Sequence, residues 1–202
     1  MPKRFPKDDP HLFFYLHAGD LYCHIQDLKL VLKKTEEIEF EDHPDELEYE
    51  GLISDIFPDI VRKSFVVLLI IALETEFKSF CGLLKEIESL SLKWNELRGP
   101  SLDRFICYCE RLSNVKVCND NTNRQLIKGL IEARNCIIHN NSSIEFFDKA
   151  KEVVQFAKAV QGVSIENGYL TFSYEACLTC ADIMHAFMQD AYNAALEKYP
   201  KK

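Results

Sequence analysis

The chain has 202 residues, of which 47% are hydrophobic, and this length and composition indicate a single globular domain with an ordinary core. Acidic residues outnumber basic ones by 32 to 24, and the formal net charge of −8 argues against a general binder of nucleic acids. The N-terminus has no apolar leader and no stretch is long enough to span a bilayer, so we expect no membrane contact. Eight cysteines then suggest free thiols in a reducing cytoplasm.

The first third of the chain predicts a helix followed by an acidic linker. Aromatic and aliphatic residues recur at helical spacing over residues 11–39, with Gly19 as a candidate break because glycine weakens a helix interior. Residues 36–50 are rich in aspartate and glutamate, which is typical of a solvated surface. We therefore place an N-terminal helical extension and acidic linker at residues 1–58 and the main helical domain at residues 59–202.

The middle of the chain predicts three helices. The first opens at Phe57-Pro58-Asp59, where proline is harmless because the first turn of a helix has unbonded N–H groups, and it extends to about residue 90. A second helix follows the break at residues 98–100 and reaches residue 112. The third runs from residue 125 to about residue 138, with N-cap candidates just before it.

The last third predicts two helices separated by a hairpin. Ser142 and Glu145 have the spacing of a capping box, which predicts a helix over residues 145–160. Residues 162–172 alternate in polarity around Asn167-Gly168, a strong hairpin signal. Ser173 then caps a final helix that reaches about residue 198. The expected fold class is therefore all-α, a helical bundle with a short β-hairpin before the C-terminal helix.

The helix over residues 125–138 carries an arginine on an apolar face. Arg134 lies near the middle of a stripe formed by Leu126, Ile127, Leu130, Ile131, Ile137 and Ile138, because an α-helix turns by about 100° per residue. Burying a permanent charge costs several kcal/mol unless it is paired or lines a polar site. We therefore expect an anion, a cleft or a partner subunit to meet this guanidinium.

Asn135 and His139 stand next to this arginine on one flank of the helix. Their i,i+4 spacing places the two side chains together, so the amide can orient the imidazole. An imidazole can accept or donate a proton near neutral pH, and a guanidinium can bind a phosphate through two hydrogen bonds. Since Arg134 and His139 would diverge by about 140° on a regular helix, we expect the backbone to leave helical geometry near His139.

Arg134-Asn135, three further residues and His139 resemble the signature of HEPN domains, in which an arginine and a polar residue precede a histidine. HEPN domains are all-helical RNases, and the order of elements over residues 59–198 is also similar to that of defence-associated HEPN proteins. Glu74 and Lys78 have a spacing found in some HEPN families, although an exposed i,i+4 salt bridge is the simpler explanation of this pair. Asn140, which follows the histidine, is a further supporting candidate.

The resemblance implies a metal-independent endoribonuclease in which the RNA 2′-hydroxyl attacks the adjacent phosphate. His139 would be the general acid or base, Arg134 would bind the scissile phosphate, and Asn135 would orient the imidazole or the substrate. It also implies a homodimer with a composite site, an RNA substrate, no cofactor or metal, and a toxin or antiphage role under an antitoxin or sensor protein. The acidic residues 36–50 would then either form a solvated surface or mimic RNA and shield a basic cleft.

Two other interpretations stay open. The chain could be a non-catalytic HEPN-like module that dimerises or binds a partner protein, or an unrelated helical bundle in which the motif arises by chance. The spacings Cys107-Tyr-Cys109 and Cys177-Leu-Thr-Cys180 also suggest a metal or redox site. Because a zinc site needs four ligands and neither pair has a matching histidine pair, we expect these cysteines to be structural.

Overall fold

The computed structural model describes residues 6–38, 56–117 and 121–201. Within these ranges the protein has six α-helices and one two-stranded sheet. The elements are α1 Pro10–Glu36, α2 Phe57–Glu88, α3 Ser101–Cys107, α4 Asn121–Asn140, α5 Ala150–Ala159, β1 Val163–Glu166, β2 Tyr169–Phe172 and α6 Tyr174–Lys198. The mostly helical fold with a hairpin before the last helix is confirmed. Most of the predicted acidic linker, residues 39–55, lies outside the described residues.

Helix α1 continues through Gly19, so the expectation that this glycine divides the helix was wrong. A single glycine costs about 1 kcal/mol in a helix interior. Burial of an apolar stripe on this 27-residue helix, including Phe14, Leu21 and Ile25, outweighs that cost. No helix in the described ranges is long and apolar enough to cross a membrane.

The contacts between residues form two compact units. The first comprises residues 1–24, 71–125 and 184–202, and the second comprises residues 25–70 and 126–183. Each unit draws segments from both sides of residue 58, where we expected a boundary in the sequence. That boundary stays a prediction.

Aromatic rings dominate the core of the first unit. Phe77 stacks on Phe105 with 4.2 Å between ring centroids, and Phe80 meets Phe14 at 5.2 Å. Such pairs add about 0.5 to 1.5 kcal/mol to the free energy gained by burying the rings. A short π-helical turn, Tyr108–Leu112, follows α3 directly, so the helical segment reaches the predicted residue 112.

The core of the second unit is assembled around the buried side of α4. Ile127, Leu130, Ala133 and Cys136 are fully buried there. Gly129 brings α4 close to α5, because a Cβ built at this position would lie 2.7 Å from Cβ of Phe156. The lack of a side chain at Gly129 therefore allows α4 and α5 to pack this closely.

The hairpin forms as predicted and also holds the chain that follows α4. Asn167 and Gly168 have positive φ angles of 51° and 83°, which are typical of the turn that joins two twisted strands. Two backbone hydrogen bonds, from Ile144 N–H to the Gly168 oxygen (2.9 Å) and from Leu170 N–H to the Ser142 oxygen (2.8 Å), join the hairpin to the preceding loop. The loop after α4 is thereby anchored to the sheet.

This anchoring explains why the predicted helix over residues 145–160 begins only at Ala150. The backbone oxygen of Ser142 accepts a hydrogen bond from the hairpin, and its side chain is 2% exposed. Phe146 adopts a left-handed φ of 59°, which is incompatible with a helix at that point. The capping box predicted between Ser142 and Glu145 was therefore wrong, since pairing with the hairpin outweighs the local signal.

We expect Gly129→Ala to destabilise the protein by about 1 to 3 kcal/mol, because the new methyl group would overlap Cβ of Phe156 and push α5 away. Gly82→Ala is a matched control. Gly82 also lies inside a helix, but a Cβ there meets nothing within 4 Å. Gly82→Ala should instead stabilise the protein by about 1 kcal/mol, because alanine has a higher helix propensity than glycine. Urea unfolding of both variants measures the difference, and equal stabilities would contradict the close packing of α4 and α5.

Candidate active site

Helix α4 continues to Asn140, so His139 lies in its last turn rather than beyond it. The helix ends immediately afterwards, where Asn141 and Ser142 adopt positive φ angles of 48° and 65°. The N–H group of Ser142 donates to the oxygen of Cys136 at 3.1 Å, which satisfies one of the last free carbonyl groups of the helix. His139 is therefore presented at a helix end, but on regular helical backbone.

Asn140 organises the loop that follows the helix. Its side-chain amide donates to the backbone oxygens of Ser143 at 2.6 Å and Glu145 at 2.8 Å. Because both donor hydrogens are used in this way, the amide has no donor left for a substrate. The residue that we proposed as a supporting group therefore acts as a positioning residue for the loop.

Asn135 and His139 line one shallow pocket of about 400 Å³, as the i,i+4 spacing predicts. His139 is exposed and forms no hydrogen bond within the described residues. The amide of Asn135 donates instead to a carboxylate oxygen of Glu132 at 3.2 Å. In this state the amide is oriented by Glu132, and the imidazole is free to meet a substrate.

Arg134 is partly buried on α4 and is not among the residues that line this pocket. The helix stays regular, so Arg134 and His139 of one chain diverge by about 140°. The apolar face of α4 is buried at Ile127 and Leu130. Ile138, one turn after Arg134 on the same helix, is 50% exposed. The expectation that Ile138 belongs to the core was therefore wrong, because the face opens to solvent at the end of the helix.

Glu74 and Lys78 lie on α2 in the first unit, whereas Arg134, Asn135 and His139 belong to the second. Glu74 is half-buried and Lys78 is exposed. Lys78 lines a different cavity from the one that contains His139. The supporting role of this pair in RNA cleavage therefore stays a prediction.

Phe146 is the residue at the pocket that sequence reasoning missed. Its side chain is 92% exposed and lines the pocket of His139, and its backbone has a φ of 59°. A non-glycine residue in this left-handed region is strained, and such strain is often found at functional sites. The misassigned capping box had placed Phe146 inside a helix, where an aromatic residue suggests core packing. A loop carrying Phe-Phe directly after a motif helix was the available signal.

Three of the four cysteines in the two spacings are core residues, and the fourth, Cys107, is partly exposed. Cys177 and Cys180 are fully buried on α6, and burial raises the pKa of Cys177 to about 12 and that of Cys180 further. Cys109 is also buried, and its pKa is raised for the same reason. Metal binding and nucleophilic attack both require the thiolate, so these environments favour inert thiols that fill space.

The geometry therefore combines an exposed histidine, an adjacent amide and an exposed aromatic ring in one pocket, with an arginine about 140° away around the same helix. The resemblance to HEPN domains stays a prediction, made from Arg134, Asn135 and His139 and from the order of the elements predicted from the sequence. In comparisons with protein-family profiles, curated proteins and solved structures, nothing matched this chain.

Proposed function

We propose that the protein is a metal-independent endoribonuclease of the HEPN type. One observation carries the proposal: His139 is exposed at the end of α4, next to Asn135, in a pocket that is open to a large substrate. A histidine buried for structural reasons would be enclosed by apolar neighbours, whereas this imidazole is accessible. Cleavage of labelled tRNA or total RNA in EDTA tests the proposal, because a metal-independent site keeps working when divalent ions are removed.

The chemistry requires two proton transfers and charge stabilisation at phosphorus. A base removes the proton of the 2′-hydroxyl, the 2′-oxygen bonds to phosphorus, and the bond from phosphorus to the 5′-oxygen breaks. An acid protonates that 5′-oxygen, leaving a 2′,3′-cyclic phosphate and a 5′-hydroxyl. His139 serves as base or acid, and Arg134 stabilises the charge on the phosphate oxygens through paired hydrogen bonds.

A homodimer supplies these groups better than one chain does. Within one helix the guanidinium and the imidazole diverge by about 140°, so a single copy cannot easily direct both at one phosphate. Ile138 is half-exposed one turn from Arg134, which suits a face completed by a second copy. In the composite site, the arginine of one copy and the histidine of the other meet the same phosphate.

Mixed dimers test this composite site. We expect His139→Ala and Arg134→Ala variants to be inactive alone, and their co-expression with two different tags to restore part of the cleavage. A dimer carrying both tags keeps one intact arginine and one intact histidine, and random pairing produces such dimers in about half of the molecules. No recovery in purified two-tag dimers would contradict a site that takes these two groups from different copies.

We expect Phe146→Ala to raise the KM for single-stranded RNA by roughly 5-fold to 150-fold and to change kcat much less, because stacking on a base contributes about 1 to 3 kcal/mol. Among the described residues that line the pocket, Phe146 is the aromatic residue that is almost entirely exposed, whereas Phe147 is partly buried. Phe146→Trp keeps a stacking surface and should retain a low KM. An unchanged KM in Phe146→Ala would contradict a role in substrate binding.

An endoribonuclease of this kind acts as a toxin or an antiphage effector in the cytoplasm. Uncontrolled RNA cleavage harms the cell that produces it, so the activity has to be restrained by an antitoxin or released by a sensing partner. The surface that such a partner covers would include the open pocket of His139. Binding of the partner should therefore protect His139 from modification by diethyl pyrocarbonate.

The second candidate function is a non-catalytic module that binds a partner protein. The observation that favours it is the charge of the pocket, in which two carboxylates, Glu132 and Asp148, outnumber the one ammonium group, that of Lys149. Two carboxylates repel a polyanion and suit a basic protein surface instead. If Arg134→Ala stays a folded dimer and loses both cleavage and toxicity, the binding module is excluded.

A further inference from the structure

A second cavity, of about 470 Å³, lies in the first unit of the protein, between α2 and the turn that follows it. Lys78, Gly82 and Lys85 contribute one wall from α2, and Lys93, Trp94 and Asn95 contribute the other from a short 3₁₀ turn, Trp94–Glu96, and the residue before it. This volume is within the usual range for small-molecule sites. The cavity shares no residue with the pocket of His139.

The charge of this cavity is opposite to that of the whole chain. Among the residues that the structure describes, three lysines line it and no acidic residue does, although the net charge of the protein is −8. Lys85 donates to the backbone oxygens of Leu90 and Ser91 at 2.7 and 3.0 Å and thereby holds the turn. Lys78 and Lys93 are exposed and form no ion pair within the described residues. Two ammonium groups are thus available to an anion.

Gly82 keeps the cavity open. It lies inside α2, where glycine is less favourable than alanine, and a Cβ built at this position meets nothing within 4 Å. Helix packing therefore does not require glycine here. A larger residue would project toward the space that the lysines surround, so the absence of a side chain leaves this space open to a ligand.

Trp94 provides an aromatic wall, and Arg104 contacts its ring. The guanidinium carbon of Arg104 lies 4.5 Å from the centre of the indole ring, in the geometry of a cation–π contact. Glu96 accepts a hydrogen bond from the backbone N–H of Lys93 at 2.5 Å and is not part of the lining. An immobilised aromatic ring next to paired lysines is suited to a ligand with both a planar and an anionic part.

We infer that this cavity is a binding site for a mononucleotide, with its phosphate held between Lys78 and Lys93 and its base against Trp94. Lysine contacts phosphate as a point charge, and aromatic side chains contact bases of any identity through their faces. The inference does not rest on Arg134 or His139; Lys78 is the one residue that it shares with the candidates for RNA cleavage. A bound nucleotide would make the protein responsive to the nucleotide pool.

The indole of Trp94 provides the assay, because it is the single tryptophan of the chain. The full-length protein is titrated with the four ribonucleoside monophosphates, with ATP, with adenosine and with inorganic phosphate, and binding is followed by tryptophan fluorescence and by calorimetry. We expect at least one nucleotide to change the emission, and adenosine and phosphate alone to bind at least about tenfold more weakly. No binding of any nucleotide at millimolar concentration, or binding of long RNA only, would overturn the inference.

Three variants locate the site. Lys78→Gln combined with Lys93→Gln should weaken nucleotide binding by about tenfold or more, because it removes both free ammonium groups. Gly82→Leu should abolish binding by filling the cavity, and leucine is a good helix former, so the fold is preserved. Lys116→Gln removes an exposed lysine outside the cavity and should bind as wild type does. Unchanged affinity in both cavity variants would overturn the assignment.

Discussion

Replacing His139 with alanine is expected to lower the rate of RNA cleavage by a factor of about 10² to 10⁴, the usual contribution of a general acid or base. The side chain is exposed and has no hydrogen bond within the described residues, so the fold loses little when it is removed. Exposed substitutions of this kind usually change the free energy of unfolding by less than about 0.5 kcal/mol. Single-turnover cleavage of labelled RNA measures the rate without interference from product release.

His24→Ala is the matched control for this experiment. His24 is also an exposed histidine on a helix, but it lies outside the pocket. The His24→Ala variant should cleave RNA at the rate of the wild-type protein. If His139→Ala is folded and retains that rate as well, the imidazole takes no part in catalysis and the assignment of the site is incorrect.

Replacing Arg134 with alanine is expected to lower kcat by a factor of about 10² to 10³, because a preorganised hydrogen-bond donor to the phosphate is removed. Arg134→Lys keeps the charge but not the planar pair of donors, and it should restore only part of the rate. The two variants together separate charge from geometry. Steady-state kinetics, with the oligomeric state measured by light scattering, provide the comparison.

Because Arg134 is partly buried, its replacement also tests the fold, and thermal unfolding has to accompany the kinetics. Arg124→Ala is the appropriate control, since Arg124 belongs to the same helix and pairs with Asp103 at 2.9 Å. An exposed ion pair of this type contributes about 1 kcal/mol or less, and the variant should remain active. Wild-type cleavage by folded Arg134→Ala would contradict the proposed role of the guanidinium.

The sequence was sufficient to predict the elements that depend on local interactions. Apolar periodicity located the long helices, and Asn167-Gly168 located the hairpin, since both residues readily adopt the positive φ angles that its turn requires. Ser173 was correctly identified as a cap, because its hydroxyl oxygen accepts a hydrogen bond from the N–H of Ala176 at 3.1 Å. Each of these signals lies within a few residues of the structure that it predicts.

The errors occurred where distant parts of the chain meet. Ser142 and Glu145 have the spacing of a capping box, yet Ser142 and Ile144 exchange backbone hydrogen bonds with residues of the hairpin. No pattern in residues 140–150 contains that information. Gly19 was misjudged for a related reason, because the burial that stabilises α1 along its length cannot be read from the glycine and its neighbours.

For the candidate site, too, the sequence predicted what depends on neighbouring residues and not what depends on distant contacts. The i,i+4 spacing of Asn135 and His139 correctly placed both side chains at one pocket. The position of Phe146 at this pocket was missed because it depends on the loop after α4, which is held by backbone hydrogen bonds to the distant hairpin. The expected departure from helical geometry near His139 did not occur, since the helix closes one residue later through Asn141 and Ser142. Arg134 consequently stays on a different face, which makes a second copy necessary in the proposed mechanism.

Analysis of the ends of cleaved RNA tests the central claim most directly. Wild-type protein and His139→Ala, matched for folding and oligomeric state, are incubated with labelled tRNA in EDTA, and the product termini are identified by mass spectrometry. We predict cleavage by the wild-type protein alone, with 2′,3′-cyclic phosphate and 5′-hydroxyl ends. Cleavage that requires a divalent metal ion, products with 5′-phosphate ends, or equal cleavage by His139→Ala would contradict a metal-independent endoribonuclease built on this motif.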